Sequence, residues 1–309
     1  MLEKTQSTEI ENIYNRNKNK YILEKVSKNI FFISSLIAVL SLLLIIGFVF
    51  YKGLTPFIFK GYSFIDFFTG SDWLPGSDKF GIATMVVASI VATVGALIIG
   101  VPIGILTAVF MAYYCPERIY KPLKAATELL AGIPSVIYGF FGLVVIVPLV
   151  REFGRTMGFH GNGNSILTAS ILLGMMILPT IIGLTESSLR AVPEQYYEGA
   201  VALGATHERS IFRVVIPAAK SGVIAALVLG IGRAIGETMA VIMVAGNQAR
   251  MPEGIFRGVR TLTANIVIEM GYAAGLHREA LIATGVVLFV FILILNFSVA
   301  LLKRRSEHE

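Results

Sequence analysis

The stretch Asn29-Ile-Phe-Phe-Ile-Ser-Ser-Leu-Ile-Ala-Val-Leu-Ser-Leu-Leu-Leu-Ile-Ile-Gly-Phe-Val-Phe-Tyr51 contains no charged residue. A helix needs about 20 predominantly apolar residues to cross the hydrocarbon core of a bilayer, so this run is long enough to span one. Leu129–Val150 and Ala280–Leu302 are charge-free in the same way. Two longer uncharged runs, Phe80–Pro116 and Thr156–Thr185, each hold one span with flanking loop, and a further apolar segment from about Ser221 to Gly246 is interrupted only by Arg233 and Glu237. The expectation is an all-α membrane protein with six transmembrane helices at about residues 29–51, 81–112, 126–150, 165–189, 219–246 and 280–302. Residues 1–28 and 304–309 are then tails around a membrane domain at 29–303, with one long loop at 190–220. The first run is too long for the apolar core of a cleavable signal peptide and no small-residue cleavage site follows it, so it reads as a retained helix.

The composition of the 309 residues supports this. Hydrophobic residues make up 55% and charged residues only 15%, against about 25% charged in a soluble domain. A mean hydropathy of +0.74 excludes a disordered chain. The net charge of +6 comes from 26 Lys and Arg placed in clusters between apolar runs. That pattern is one of membrane topology and not of a nucleic-acid-binding stripe. The single Cys115 excludes an intrachain disulfide and a cysteine metal cluster.

Counting Lys and Arg outside the spans orients the chain. The first tail, the Glu117–Lys124 loop, the Arg190–Lys220 loop and the last tail hold 16, and the three opposite segments hold nine. The bias places both termini in the cytoplasm. The outer segment Asn247–Glu279 contains Thr261–Met270, apolar enough for a short or partly re-entrant helix facing outward, while Arg257, Arg260 and Glu269 make it a poor full span.

Enzymatic motifs are absent. No Lys follows a Gly, so there is no phosphate-cradling loop with its lysine. There is also no zinc helix with paired histidines and no nucleophile turn. His160, His207, His277 and His308 lack metal-ligand spacing. No cofactor is expected on this chain.

The inner loop carries the string Pro193-Glu-Gln-Tyr-Tyr-Glu198-Gly-Ala200-Val-Ala-Leu-Gly204. Pro193 suits a helix start, Glu194 and Glu198 favour its positive end, and Gly204 suits a left-handed terminating position. Tyr196, Ala200 and Leu203 share one face that needs a partner. The alternative is a helix lying on the membrane surface, but such helices prefer a basic polar face and this one opens with acids.

In the sixth apolar segment, Arg233 lies near mid-bilayer, with Glu237 expected one turn further on the same face. Ionisable residues inside spans are costly and default to a functional hypothesis. Arginine offers a planar donor fork that fits phosphate or carboxylate oxygens, and a neighbouring acid would tune release. The competing reading is a buried ion pair fixing helix register beside Gly230, Gly232 and Gly236. Pro102, Pro134, Pro148 and Pro179 read as kinks before hinges, and Gly100 and Gly104 as helix-packing positions.

The loop resembles the EAA signature of ABC importer permeases, matching at Glu198, Ala200, Gly204, Val214, Ile216 and Pro217, with Gly199, Val214 and Ile216 as substitutions within the pattern. In that family the segment is a coupling helix that docks into an ATP-binding subunit. The string Gly232-Arg-Ala-Ile-Gly-Glu-Thr-Met-Ala-Val241 resembles the fifth span of phosphate importer permeases of the PstC type. Ser71-Asp-Trp-Leu-Pro75, Gly132-Ile-Pro-Ser-Val-Ile-Tyr-Gly139 and Arg260–Tyr272 add to the likeness, which runs from residue 30 onward. The resemblance implies a type I importer fold in a bacterial or archaeal cytoplasmic membrane and passage of inorganic phosphate near Arg233 and Glu237. It also implies four kinds of partner: a related permease of the PstA type, a homodimeric ATPase of the PstB type that uses ATP and Mg, a phosphate-binding protein of the PstS type, and the lipid bilayer. Another oxyanion such as molybdate or sulfate stays open, as does an ion-coupled transporter using Glu237 as proton carrier.

Overall fold

A computed structural model describes residues 2–306, with side chains described for Lys20, Tyr21 and residues 23–298. Met1 and residues 307–309 lie outside the described residues, and with them the end of the expected tail 304–309; most side chains of the expected tail 1–28 are likewise outside.

The elements in order are α1 (Leu2–Phe59), α2 (Phe64–Thr69), β1 (Trp73–Leu74), β2 (Lys79–Phe80), α3 (Ala83–Val109), α4 (Glu117–Gly132), α5 (Ser135–Phe141), α6 (Val147–Thr156), α7 (Ile166–Arg190), α8 (Glu194–Ala202), α9 (His207–Ser210), α10 (Ile216–Ala218), α11 (Lys220–Gly236), α12 (Met239–Val244), α13 (Leu262–Glu269) and α14 (Gly275–Ser306). β1 and β2 form an antiparallel hairpin with Trp73 opposite Phe80. Among the described residues, five helices are long and apolar enough to cross a membrane: Leu23–Phe59, Ala83–Tyr114, Ser135–Thr156, Ile166–Arg190 and Gly275–Ser298. The segments His207–Ala218 and Lys220–Gly236, bent by 70°, make a sixth if counted as one.

The chain divides into two compact units, Met1–Lys52 and Gly53–Glu309. In the first, apolar side chains such as Leu36, Leu40, Leu43 and Leu44 are exposed, as lipid-facing residues would be. The second holds the packed core.

That core centres on α7, against which α3 packs most closely. The reason is a row of small residues. A Cβ on Gly100 would sit 2.8 Å from the Gly174 carbonyl oxygen, and one on Gly104 would sit 2.7 Å from Ile181. Ser170 Oγ also donates to the Ala92 carbonyl at 3.2 Å. Ala92, Ala96, Ala169, Leu172, Leu173 and Met176 are all buried in this contact.

Two expected spans are discontinuous. The segment at 126–150 breaks at Ile133, which is extended (ψ 126°) before Pro134; a residue preceding proline is disfavoured in the helical region. The helix resumes at Ser135. The segment at 219–246 breaks at Glu237. At 17 residues, α11 is about 26 Å long, less than the roughly 30 Å hydrocarbon core, and α12 continues it. Pro102 and Pro179 lie inside α3 and α7, and Pro148 opens α6.

Candidate functional site

α11 runs along α7, and Arg233 in its last turn is half-buried. Arg233 Nη1 donates to Thr180 Oγ1 at 3.3 Å. Thr180 is 10 residues from Arg190 and 14 from Ile166 on α7, or about 15 Å and 21 Å along the helix. The guanidinium therefore sits near the middle of α7, the most buried of the candidate spans among the described residues. Gly232 and Gly236 beside it face open space, with nothing within 4 Å of where a Cβ would be.

Glu237 departs from the expectation. It is not one helical turn beyond Arg233, because α11 ends at Gly236 and Glu237 is extended with φ −69° and ψ 126°. Its carboxylate turns toward α12 instead: Oε1 accepts from the Thr238 N–H at 3.1 Å and from the Ala240 N–H at 3.2 Å. The physical reason is the need of a helix start for acceptors on its first N–H groups. Among the described residues no ion pair within 4.0 Å joins Arg233 to Glu237 or to any other carboxylate. The reading of the two as a register-fixing pair therefore has no contact behind it here.

The short helix expected within Thr261–Met270 is α13. It starts on the side chain of Thr261, whose hydroxyl accepts from the Ala264 N–H. Its Thr263 hydroxyl donates to the Glu237 carbonyl at 3.2 Å, so α13 braces the break. α13 is held in turn by Glu269, 5% exposed. Arg260 Nη1 donates to Glu269 Oε1 at 2.6 Å, and Trp73 Nε1 and His277 Nε2 meet Oε2 at 2.7 and 2.8 Å. The Phe80 ring stacks on His277 with centroids 5.8 Å apart.

After the last turn of α7, three of the residues expected to dock an ATPase, Glu198, Gly199 and Ala200, lie in α8. Pro193 stands immediately before its first residue and Gly204, at φ +85°, lies just past its end. No residue of α8 is buried, and Tyr196 and Leu203 are 54% and 92% exposed. Glu198 and Gly199 are exposed and Ala200 is half-buried. α8 is tethered through Tyr197 Oη to His207 Nδ1 at 2.8 Å. Pro217 lies in α10, at the bend leading into α11.

Sequence reading missed a cluster at the root of this loop. Glu186 on α7, 1% exposed, accepts from Tyr120 Oη at 2.6 Å and Lys124 Nζ at 2.7 Å, both on α4, and from Arg190 Nε at 2.9 Å. The Glu186 contact raises the pKa of the Lys124 ammonium and likewise that of the Tyr120 phenol. Glu186 immediately follows a 30-residue uncharged run, and an acid at the end of such a run is the only signal that could have drawn attention to it. Among the described residues no group of three or more potential ligands could hold a metal ion.

The chain is an apolar helical bundle with two broken spans, an exposed short helix in a long loop and, among the described residues, Arg233 at mid-depth without a carboxylate partner. Residues 100–308 match the family described as binding-protein-dependent transport system inner membrane component. The chain belongs to that family; it is a multi-pass ABC importer permease subunit, which works with an ATPase and a substrate-binding protein, and is not itself an enzyme. It is 39% identical, over 80% of its length and 81% of the relative's, to the probable ABC transporter permease protein YqgH of Bacillus subtilis (strain 168). It is 36% identical to the phosphate transport system permease protein PstC of Mesorhizobium japonicum, covering 74% of each chain, and 35% identical to that of Pasteurella multocida, covering 81% and 82%. In fold it is similar to a bacterial alginate ABC transporter in complex with an alginate pentasaccharide-bound periplasmic protein (TM-score 0.57, 18% identity, 87% of this chain and 94% of that one). A second neighbour is the inward-facing MetNI methionine ABC transporter (TM-score 0.53, 20% identity, 73% and 94%).

Proposed function

We propose that this permease passes inorganic phosphate into the cytoplasm, with Arg233 on the substrate path. The observation that carries the reading is the state of that arginine: it sits at mid-depth with one long hydroxyl contact, and the rest of its donor fork has no protein acceptor among the described residues. A guanidinium fork suits a phosphate oxyanion, and the relatives named for phosphate transport supply the substrate class. Glu237, with its carboxylate held by backbone N–H groups at the break, supplies a fixed negative charge that keeps phosphate from binding too tightly to leave.

The exposed loop at 193–217 is the ATPase-docking element on this reading, with Glu198, Gly199, Ala200, Gly204 and Pro217 shaping it. On the same reading both termini of the chain face the cytoplasm of a bacterial or archaeal cell, with the chain in the cytoplasmic membrane. The partners are a PstA-type permease, a homodimeric PstB-type ATPase that uses ATP and Mg, and a PstS-type phosphate-binding protein outside. This chain binds no cofactor and no nucleic acid.

The test is labelled-phosphate uptake into proteoliposomes containing the full complex with ATP trapped inside, with and without an uncoupler and with excess molybdate or sulfate. ATP-dependent uptake that survives the uncoupler, resists both competitors and is lost in Arg233→Gln is the expected result. Uptake that follows the proton gradient and ignores ATP overturns the mechanism, and suppression by molybdate or sulfate reassigns the anion.

A further inference from the structure

The Glu186 cluster is used by nothing in the transport reading so far, yet it lies where the first end of the loop meets α4, the helix that ends at the Ile133 break. Arg190, in the last turn of α7, is three residues before Pro193. Its Nε is bound to Glu186, its Nη2 donates to the Met111 carbonyl at 2.9 Å, and its guanidinium lies 4.7 Å from the centroid of the Tyr120 ring. Glu186 then passes the contact to α4 through Tyr120 and Lys124. A carboxylate taken this far out of water needs charged partners to persist. Three donors reach its two oxygens, two from α4 and one from the last turn of α7, so the carboxylate ties these elements together.

α4 leads directly to a break. Six residues beyond Lys124, the Leu130 carbonyl accepts from Tyr138 Oη at 2.9 Å, clamping α5 across Ile133–Pro134. α5 in turn lies on α12 so closely that a Cβ on Gly139 would be 2.9 Å from Ala240 Cα. Ala240 is one of the two residues whose N–H groups hold the Glu237 carboxylate. Packed elements that touch without slack transmit displacement, because interiors are dense and not continuously deformable.

We propose that Glu186 is a positioning residue for transport: through Arg190, Tyr120 and Lys124 it ties the root of the ATPase-docking loop to α4, and α4 carries the loop's displacement through α5 and α12 to Glu237. The proposal rests on the reading of 193–217 as the docking loop. It assigns Glu186 no contact with substrate.

The experiment measures anion imported and ATP hydrolysed in the same proteoliposomes of the full complex. Labelled phosphate is the probe, or molybdate or sulfate if the uptake experiment returns one of them. Lys124→Met is the main variant, since the Lys124 side chain is 33% exposed and its loss leaves Glu186 two partners. It should lower the anion-to-ATP ratio at least 10-fold while hydrolysis stays within about 3-fold of the parent. Lys124→Arg should restore more than half of the ratio, and adding Lys124→Met to Glu186→Gln should cause no further fall, as expected for members of one network. A ratio that does not move, with uptake and hydrolysis falling together or neither falling, overturns the proposal. So does a Lys124→Met complex that fails to assemble, which would make the contact one of folding. A cysteine in place of Glu198 (E198C) checks docking separately by crosslinking to the ATPase. No crosslink takes down the docking reading and the proposal with it, whereas a crosslink with an unchanged ratio takes down the proposal alone.

Discussion

Glu269 and Arg233 are both charges inside an apolar chain, and their surroundings are opposite. Glu269 is 5% exposed and satisfied on both oxygens, by Arg260 on one and by Trp73 and His277 on the other. Arg233 is half-buried and meets one hydroxyl at 3.3 Å. A group saturated by protein has no capacity left for a travelling ligand, so Glu269 holds elements in place. A group whose donors are unclaimed near the middle of a span retains binding capacity. In this chain, saturation separates a charge that holds the structure from a charge suited to work.

That contrast can be broken most sharply by removing each charge in turn. Arg233→Gln should cut phosphate uptake by about 100-fold, about 2.7 kcal/mol of transport barrier, while the thermal midpoint of the purified complex changes little; a large drop in midpoint would move Arg233 into the structural class. Glu269→Gln should do the reverse, destabilising by about 3 kcal/mol because it takes the counter-charge from the largely buried Arg260, which keeps only the neutral acceptors of Asn247 and Asn265. Trp73 is the chain's single tryptophan and donates to Glu269, so its fluorescence reports the loss directly. Unchanged emission and midpoint would refute the role given to the Glu269 cluster.

Smaller effects probe the packing and the loop. Gly100→Ala should cost about 1–3 kcal/mol, since the added Cβ would strike the Gly174 carbonyl and Ile177; chemical denaturation of the solubilised chain measures it. Gly199→Ala meets nothing within 4 Å in this chain, so it should firm α8 by up to about 1 kcal/mol, read as added helicity and a raised midpoint of the solubilised chain. Smallest of all is the effect of pH on the Lys124–Glu186 bridge. The Lys124 pKa is raised, so its contribution is full below the unfolded-chain value of about 10.4 and fades only as pH passes the folded value. Stability of wild type and Lys124→Met should therefore differ by a constant amount from pH 6 to pH 9.

The positions of the apolar runs and of the short helix after Pro193, the short helix near Thr261–Met270 and the arginine within a span were legible in the chain itself. Hydrocarbon thickness sets a local length requirement, and Pro193 and Gly204 act on their own backbone neighbours. Glu237 was half legible: its place near Arg233 could be read, but its turn away from the helix could not. Nothing local distinguishes a helix that continues past Gly236 from one that stops, and the outcome depends on the acceptor that α12 needs and on Thr263, 26 residues away.

Sequence alone determined that the chain enters the membrane, roughly where it crosses, and where a short helix interrupts the long loop, because hydropathy and turn chemistry are properties of neighbouring residues. Only the tertiary structure decided which charges are spoken for. The partners of Glu186 on α4 lie 62 and 66 residues away, and Trp73 reaches Glu269 across 196 residues. Hydrogen-bond saturation is a property of space, and here it marks which charges hold the structure and which remains unclaimed.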